Sequence, residues 1–223
     1  MTLDHLAWAF LPTVSAGAFL LHLVGRAAAP VMCFFIAEGY RRTHSLRRYA
    51  LRLAAAALVS AVPYSLFLTG RPFARPFSVL WTLLLGLLAV AVWDRVPAPL
   101  PRFAALAALL ALALPGDWGV WGAAWCVVFF ALRADPRRGG AAFALLVLAR
   151  TQLAALTALL GGDGFGAVVC LGLVQAGSLL ALPLLALYNG RAGGGRAKRG
   201  FFYLYYPLHL ALLAAARWGG SAR

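Results

Sequence analysis

The sequence predicts an all-α protein, a single transmembrane bundle over residues 1–223 with about eight or nine helices that span the membrane or re-enter it. Three observations predict this fold. Of the 223 residues, 63% are hydrophobic and 12% are charged, whereas soluble domains carry about 25% charged residues. The mean hydropathy is +0.84. Apolar runs of the length that a bilayer requires recur along the chain, which argues against a soluble enzyme and against a secreted disulfide scaffold.

Nine apolar runs define the predicted helices in chain order. Continuous Ala, Leu and Val suit helices in lipid, because a helix satisfies its own backbone hydrogen bonds. Three runs, at 27–40, 102–114 and 118–132, are shorter than a span, so we expect tilted or re-entrant helices there. Pro12 divides the first run, which predicts either one kinked helix from Met1 to Leu23 or a helix that begins upstream. The nine runs are 1–23, 27–40, 49–68, 77–93, 102–114, 118–132, 141–160, 165–188 and 200–217.

Basic residues in the connections predict the orientation. The chain has 20 Lys and Arg residues against 6 Asp and Glu, a net charge of +14. These cations punctuate the apolar runs and form no continuous basic face, so nucleic acid is not a predicted partner. The segments 41–52 and 189–199 are rich in cations. Because cytoplasmic loops of membrane proteins carry an excess of Lys and Arg, both segments are predicted to be cytoplasmic, with the lipid bilayer as the partner.

The three cysteines predict neither a metal site nor a disulfide framework. Cys33, Cys126 and Cys170 all lie in apolar runs, and no two form a Cys-x-x-Cys pair. Zinc sites and disulfide scaffolds both require closely spaced or multiply paired cysteines. We therefore expect no metal to take part in the function.

Two histidines in the apolar runs are candidates for catalysis, because an ionisable group in a span is expensive and is a functional candidate by default. His209 is predicted near the middle of the last span, where a neutral imidazole is a good general base. The alternative is an interior histidine bonded to a backbone carbonyl or a tyrosine. Asp4 and His5 are adjacent, so on a helix they diverge by about 100° and each needs a partner from another helix. Their alternative is a solvated amino terminus.

Two arginines in or beside the spans are candidates for binding an anion. Arg26 follows Gly25 at the predicted entry to the second helix, where it can pair with Asp4 or with an anionic ligand. Alternatively, it extends its charge to the membrane interface. Arg150 is central in the seventh apolar run and is predicted to face the bundle interior, in either a structural or a ligand-binding role.

A second basic region lies near the predicted inner interface. Glu38 precedes Arg41 and Arg42, and a solvated local ion pair is the alternative to a binding role for these three residues. The Gly-rich run 190–196, which ends with Arg196, can cradle phosphates through backbone N–H groups or can be a flexible loop. It lacks the lysine-serine pattern of a nucleotide hydrolase. From these features alone the chain is a membrane enzyme or a small transporter.

The same residues recur in a pattern that resembles the TraX-type pilin acetylase family. The match runs in order across nearly the whole chain, and the ordered set is more specific than any single piece. The matching pieces are Thr2-Leu3-Asp4-His5, Gly25-Arg26-Ala27-Ala28-Ala29-Pro30, Glu38-Gly39-Tyr40 with Thr43-His44, Pro63-Tyr64, Asp117-Trp118-Gly119-Val120-Trp121-Gly122, Leu187-Tyr188-Asn189-Gly190 and Phe202-Tyr203-Leu204-Tyr205-Tyr206-Pro207-Leu208-His209-Leu210.

The resemblance implies an integral, multi-pass protein of the inner membrane that uses acetyl-CoA and acetylates the amino terminus of a conjugative pilin subunit. The family is distantly similar to membrane acyltransferases of the acyltransferase-3 group, which modify envelope sugars. Its motif positions map onto Asp4, His5, Gly25, Arg26, Pro30 and His209, and also onto Glu38. The resemblance further implies an apolar segment before Asp4. We therefore expect either a start upstream of Met1 or a shortened first helix.

The resemblance therefore implies an acetyl-CoA-dependent acetyltransferase. We expect His5, His209 and Asp4 to form the catalytic site, with Asp4 orienting a histidine or an arginine and the choice of base between the two histidines left open. The acceptor is a peptide or pilin amino terminus or an envelope glycan. The alternatives are a small transporter or flippase and an inactive membrane scaffold. The residues expected to bind substrate or acetyl-CoA are Arg26, Glu38, Arg41, Arg42, Arg150 and Arg196.

Overall fold

The computed structural model describes residues 1–12, 15–191 and 196–218, and for residues 196–199 and 202 it describes the backbone alone. The described residues form helices and contain no strand, which confirms the all-α prediction. A short 3-10 helix, Gly177–Leu180, joins α9 to α10. The helices are Thr2–Phe10 (α1), Ala16–Gly25 (α2), Ala28–Arg42 (α3), Leu46–Thr69 (α4), Val79–Arg95 (α5), Pro99–Ala113 (α6), Gly119–Ala131 (α7), Pro136–Leu160 (α8), Phe165–Ala176 (α9), Ala181–Ala186 (α10) and Arg196–Trp218 (α11).

Four stretches are long and apolar enough to cross a membrane: Ala16–Arg42, Leu46–Thr69, Pro136–Leu160 and Phe165–Ala186. At 1.5 Å per residue they rise about 33 to 40 Å, enough to cross a hydrocarbon core of about 30 Å. The shorter helices α6 and α7 do not reach that length, as predicted for the runs at 102–114 and 118–132. The fold is that of a membrane protein.

The prediction for the first two runs is wrong in its boundaries. Helix α1 ends at Phe10, before Pro12, and α2 begins at Ala16, where the Ser15 hydroxyl accepts a hydrogen bond from the Ala18 amide at 3.1 Å. Helices α2 and α3 then join through Arg26 and Ala27, both with helical φ and ψ. Pro30 lies in the first turn of α3, where a proline removes no needed hydrogen bond.

This correction changes the depth of Arg26. The predicted gap between residues 23 and 27 lies inside the 27-residue stretch Ala16–Arg42. Arg26 therefore lies about 15 Å from the Ala16 end of that stretch, where it is partly buried. This position favours a role inside the bundle for Arg26 over the alternative of an arginine at the membrane interface.

Helices α3, α4, α5 and α7 form the centre of the core. Trp125 of α7 is fully buried and packs edge-on against Phe143 of α8, with ring centroids 5.3 Å apart. By contrast, α8 and α9 leave many leucines exposed, as expected for helices that face lipid. Helix α11 packs along α4, which brings its histidine face toward α1.

Gly177 fixes the contact between the 3-10 helix and α2, and Gly177→Ala is expected to destabilise the protein. A Cβ at this position would overlap the Leu23 carbonyl, and overpacking costs about 1–3 kcal/mol. The apparent Tm in detergent, followed with a thiol-reactive dye that labels the buried Cys33 and Cys126 on unfolding, should fall. Gly166→Ala is the matched control, because a Cβ there meets nothing within 4 Å. Equal Tm values for the two variants would contradict the proposed close contact.

Candidate active site

A pair of buried histidines joins the first helix to the last. His5 of α1 and His209 of α11 are each 7% exposed. His5 Nδ1 lies 3.0 Å from His209 Nε2, and the two rings are stacked with an interplanar angle of 14°. A second contact, between the hydroxyls of Thr2 and Tyr205 at 2.7 Å, also holds α1 against α11. The predicted convergence of the two histidines is therefore observed.

The hydrogen bonds of this pair assign the tautomers of the neutral rings. His209 Nδ1 lies 2.9 Å from the Tyr205 carbonyl oxygen, which can only accept, so His209 Nδ1 carries the proton. His209 Nε2 is then an acceptor, and His5 Nδ1 donates to it. His5 Nε2 is left with a free lone pair, which is the requirement for a general base. The sequence left open which of the two histidines is the base. These hydrogen bonds make His5 the candidate base, and His209 positions it.

Asp4 binds a different histidine from the one beside it in sequence. Its Oδ1 accepts a hydrogen bond of 2.7 Å from His22 Nδ1 of α2, so Asp4 and His5 point to different partners, as their divergence on a helix predicts. Gly25 permits this arrangement, because a Cβ at Gly25 would lie 2.5 Å from the Asp4 Cβ. The close approach of α1 to α2 thus depends on a glycine in the predicted motif.

The two predicted arginines meet at one tryptophan. The Arg26 and Arg150 guanidinium carbons lie 5.2 and 4.4 Å from the centroid of the Trp118 ring, within the range of a cation–π contact. Within the described residues, Arg26 Nε and Arg150 Nη1 are buried and have no hydrogen-bond partner. These two donors are available to a ligand or to water.

Asp117 supplies negative charge beside these cations. It lies in the connection between α6 and α7, next to the Tyr64 hydroxyl of α4. Asp117 interacts electrostatically with Arg26 and with Arg150. Arg26 also interacts electrostatically with Asp4. The cluster therefore balances two carboxylates against two guanidinium groups inside an apolar bundle.

A small cavity lies beside Asp4, His5 and Asp117. Its volume is about 20 Å³, which is room for about one water molecule. His5 reaches the cavity, whereas His209, Arg26 and Arg150 are not among the described residues that line it. In the described part of the chain, no group of three His, Cys, Asp or Glu side chains can hold a metal ion. The lining residues are Met1, Asp4, His5, Gly25, Ala28, Ala29, Met32, Val79, Asp117, Trp118 and Tyr206.

The other predicted binding residues lie elsewhere. Glu38 accepts hydrogen bonds from Arg41 at 2.6 Å and from Arg42 at 3.2 Å. Arg42 also donates to the Tyr188 hydroxyl at 3.1 Å and to the Gly190 carbonyl at 2.6 Å. This group ties the end of α3 to the segment before α11, so the alternative interpretation of a local ion pair describes Glu38. The side chain of Arg196 lies outside the described residues.

Sequence reasoning missed two members of the site. His22 is not among the residues that the sequence singles out, and Asp117 appears only within the family pattern. The one signal for His22 was its distance of four residues from Arg26, which places both on one side of a helix. For Asp117, the signal was its position between two apolar runs, 102–114 and 118–132, that are each too short to span a bilayer. Two short helices in succession can place the turn that joins them at membrane depth.

The fold and the site together define a membrane helix bundle with a histidine–carboxylate–arginine cluster at its centre. A sequence model described as TraX protein matches residues 1–217, and the chain belongs to the TraX family. It is 33% identical to the probable fimbrial assembly protein FimC, serogroup H1, of Dichelobacter nodosus, in an alignment that covers 97% of this chain and 91% of that protein. No solved structure matches the chain.

Proposed function

We propose that this protein is a multi-pass acetyltransferase of the inner membrane that moves an acetyl group from acetyl-CoA to the amino terminus of a pilin or another fimbrial subunit. The observation that carries the proposal is the buried His5–His209 pair, whose tautomers leave His5 Nε2 free beside the cavity. The membership of the TraX family supports a role in pilin chemistry. The name of the relative, a probable fimbrial assembly protein, supports the same class of acceptor.

The orientation follows from the arginine-rich segments 41–52 and 189–199, which the positive-inside rule assigns to the cytoplasm. Acetyl-CoA is made in the cytoplasm, so the donor approaches the bundle from that side. The cavity beside His5 lies deeper, against Gly25, Ala28 and Ala29 of the stretch Ala16–Arg42. The reacting groups therefore meet within the membrane, away from bulk water, where competing hydrolysis of the thioester is suppressed.

In the proposed reaction the acceptor amine attacks the carbonyl carbon of the donor's thioester. A C–N bond forms, the C–S bond breaks, and CoA leaves as the thiolate. The acceptor reacts as the neutral amine, after its ammonium form has lost one proton to water. His5 Nε2 takes the second proton, which the nitrogen loses on attack, and His209 Nε2 continues to accept from His5 Nδ1, which stabilises the imidazolium. The proton then passes to the CoA thiolate, so charge balances. In the described residues no cysteine lines the cavity, which supports direct transfer without an acyl-enzyme.

The surrounding charges favour an amine over a sugar hydroxyl as the acceptor. Asp4 and Asp117 both line the cavity, and carboxylates attract an ammonium group but give no comparable advantage to a neutral hydroxyl. Arg26 and Arg150 lie behind the cavity lining, stacked on Trp118, which lines it. Their positive charge stabilises, at longer range, the negative charge that develops on the thioester oxygen. Because the cavity holds about one water, it must widen before the substrates can enter.

The test is an acetylation assay with purified protein in lipid nanodiscs. Acetyl-CoA is supplied with a peptide of free amino terminus, and both the released CoA thiol and the mass of the peptide are measured. We expect stoichiometric acetylation and thiol release, with neither product from a peptide whose amino terminus is blocked. If a supplied envelope glycan is acetylated and the peptide is not, the acceptor is a glycan and the proposed peptide acceptor is wrong. Failure to transfer acetyl to any acceptor would contradict the proposal.

A further inference from the structure

A second cavity lies at the opposite end of α3, where α3, α5 and α7 all end. Its volume is about 350 Å³, within the range of about 300–1,000 Å³ that is typical of small-molecule sites. Three of its lining side chains are arginines and two are aromatic. The lining residues are Tyr40, Arg41, Thr43, Asp94, Arg95, Phe130 and Arg133. Of these, only Arg41 was a predicted binding residue.

Two of the arginines are held in place without being neutralised. Arg95 Nε donates to the Tyr40 hydroxyl at 3.2 Å, and its guanidinium lies 5.9 Å from the Tyr40 ring centroid. Arg133 Nη1 donates to the Phe130 carbonyl at 2.7 Å and stacks 4.2 Å from the Phe130 ring. Within the described residues neither arginine forms a salt bridge. Both therefore keep free N–H groups in a fixed position, which suits a phosphate.

The one carboxylate in the cavity is already engaged. Asp94 Oδ2 accepts a hydrogen bond of 2.8 Å from the Tyr40 hydroxyl, and Arg41 is paired with Glu38. Arginines at helix ends also balance the negative ends of helix dipoles, and Arg133 serves that purpose through Phe130. That role alone, however, does not explain an open cavity of ligand size with two unpaired guanidinium groups.

We propose that this second cavity binds the phosphates of the nucleotide half of the acyl donor, with Arg95 and Arg133 as the main ligands. The inference rests on the proposed function, because it names the donor subsite. Helix α3 links the two cavities: Met32 lines the first and Tyr40 the second. Eight residues separate them, about 12 Å along the helix axis, a gap that the flexible arm between the nucleotide and the thioester can cross.

Arg42, one of the residues predicted to bind substrate or acetyl-CoA, is a poorer candidate for the phosphates than Arg95 and Arg133. The Arg42 guanidinium is occupied by Glu38, Tyr188 and Gly190, so binding a phosphate there would break the connection between α3 and the segment before α11. Arg95 and Arg133 require no such exchange. Anionic lipid headgroups share the phosphate chemistry, so the experiment must separate a nucleotide from a lipid.

The test uses adenosine 3′,5′-bisphosphate, which lacks the thioester and the flexible arm, and measures its binding by calorimetry to the full chain in nanodiscs of zwitterionic lipid. We expect Arg95→Gln and Arg133→Gln each to weaken binding about tenfold, the effect of losing one charged hydrogen bond. Asp94→Asn should strengthen it, because a nearby negative charge is removed. Arg137→Gln is the matched control, since Arg137 is an exposed cation in the first turn of α8 and lies outside the cavity.

Three results would overturn the inference: no binding of the bisphosphate, equal affinities in the Arg95, Arg133 and Arg137 variants, or loss of Tm in the cavity variants without loss of affinity. Loss of binding when anionic lipid is added, with no dependence on Arg95 or Arg133, would assign the phosphate chemistry to headgroups. Because the bisphosphate cannot donate an acetyl group, the measurement stands apart from catalysis. Bisphosphate binding without acetyl transfer would contradict only the proposed function.

Discussion

His5→Gln is expected to lower the rate of acetyl transfer by about 10²–10⁴-fold, the contribution of a positioned general base. Glutamine keeps the side chain polar and can donate to His209 Nε2, but it has no nitrogen lone pair to take the proton of the amine. The fold should persist, because the packing of His5 against Phe67, with ring centroids 5.3 Å apart, is largely retained. Single-turnover kinetics with acetyl-CoA and a free amino-terminal peptide measure the loss.

His209 acts through His5, so the effect of a substitution at position 209 should depend on whether the new side chain can accept a hydrogen bond from His5. A glutamine at position 209 can still accept a hydrogen bond from His5 Nδ1, whereas a leucine cannot, although its bulk is similar. We therefore expect His209→Gln to retain roughly a tenth of the activity, because the hydrogen bond from position 209 to the Tyr205 carbonyl is lost, and His209→Leu to lose far more. Equal losses in the two variants would contradict a positioning role for His209.

The control for both histidines is His44→Gln. His44 is exposed in the connection between α3 and α4, within the family pattern but away from the cavity, and its substitution should leave the rate unchanged. Full activity in His5→Gln and His209→Gln together would end the assignment of the histidine pair. A parallel loss in His44→Gln would point to general damage rather than to lost catalysis.

The class of fold and the identity of the main site residues were predictable because they depend on local properties. Hydropathy and length predicted the helices, and the high cost of an ionisable group in a span identified His5, His209, Arg26 and Arg150. The angle between neighbouring positions on a helix already excluded a direct Asp4–His5 pair. Each of these arguments needs only a few residues along the chain.

Partner choice was not predictable, because it depends on how helices pack. The pairing of Asp4 with His22 requires α1 to approach α2 at Gly25, and no periodicity fixes that approach. Asp117 reaches Arg26 because α6 and α7 are too short to span and so place their connection at membrane depth. The first two predicted runs failed for a related reason: Pro30 can stand either in a break or in the first turn of a helix, and the sequence does not distinguish the two.

Arg26→Met is expected to destabilise the protein by about 3 kcal/mol, the lower end of the loss seen when a buried charge loses its opposite partner. Methionine keeps the bulk beside Trp118 but removes the positive charge that balances Asp4 and Asp117. The loss should shrink as the pH is lowered, because a protonated carboxyl needs no cation. Thermal unfolding in detergent, followed through the accessibility of the buried cysteines, measures it.

Two further variants separate charge balance from packing. Arg102 also lies over a tryptophan, 5.4 Å from the Trp93 ring centroid, but its guanidinium donates to backbone carbonyls of residues 96 and 97. Arg102→Met removes a similar stack but leaves no carboxylate without its cation. The loss of stability should therefore be smaller than in Arg26→Met and independent of pH. Adding Asp117→Asn to Arg26→Met should restore part of the stability, since only one buried carboxylate then lacks a cation. If the double variant is no more stable than Arg26→Met, the cluster is held by packing around Trp118 rather than by its charges.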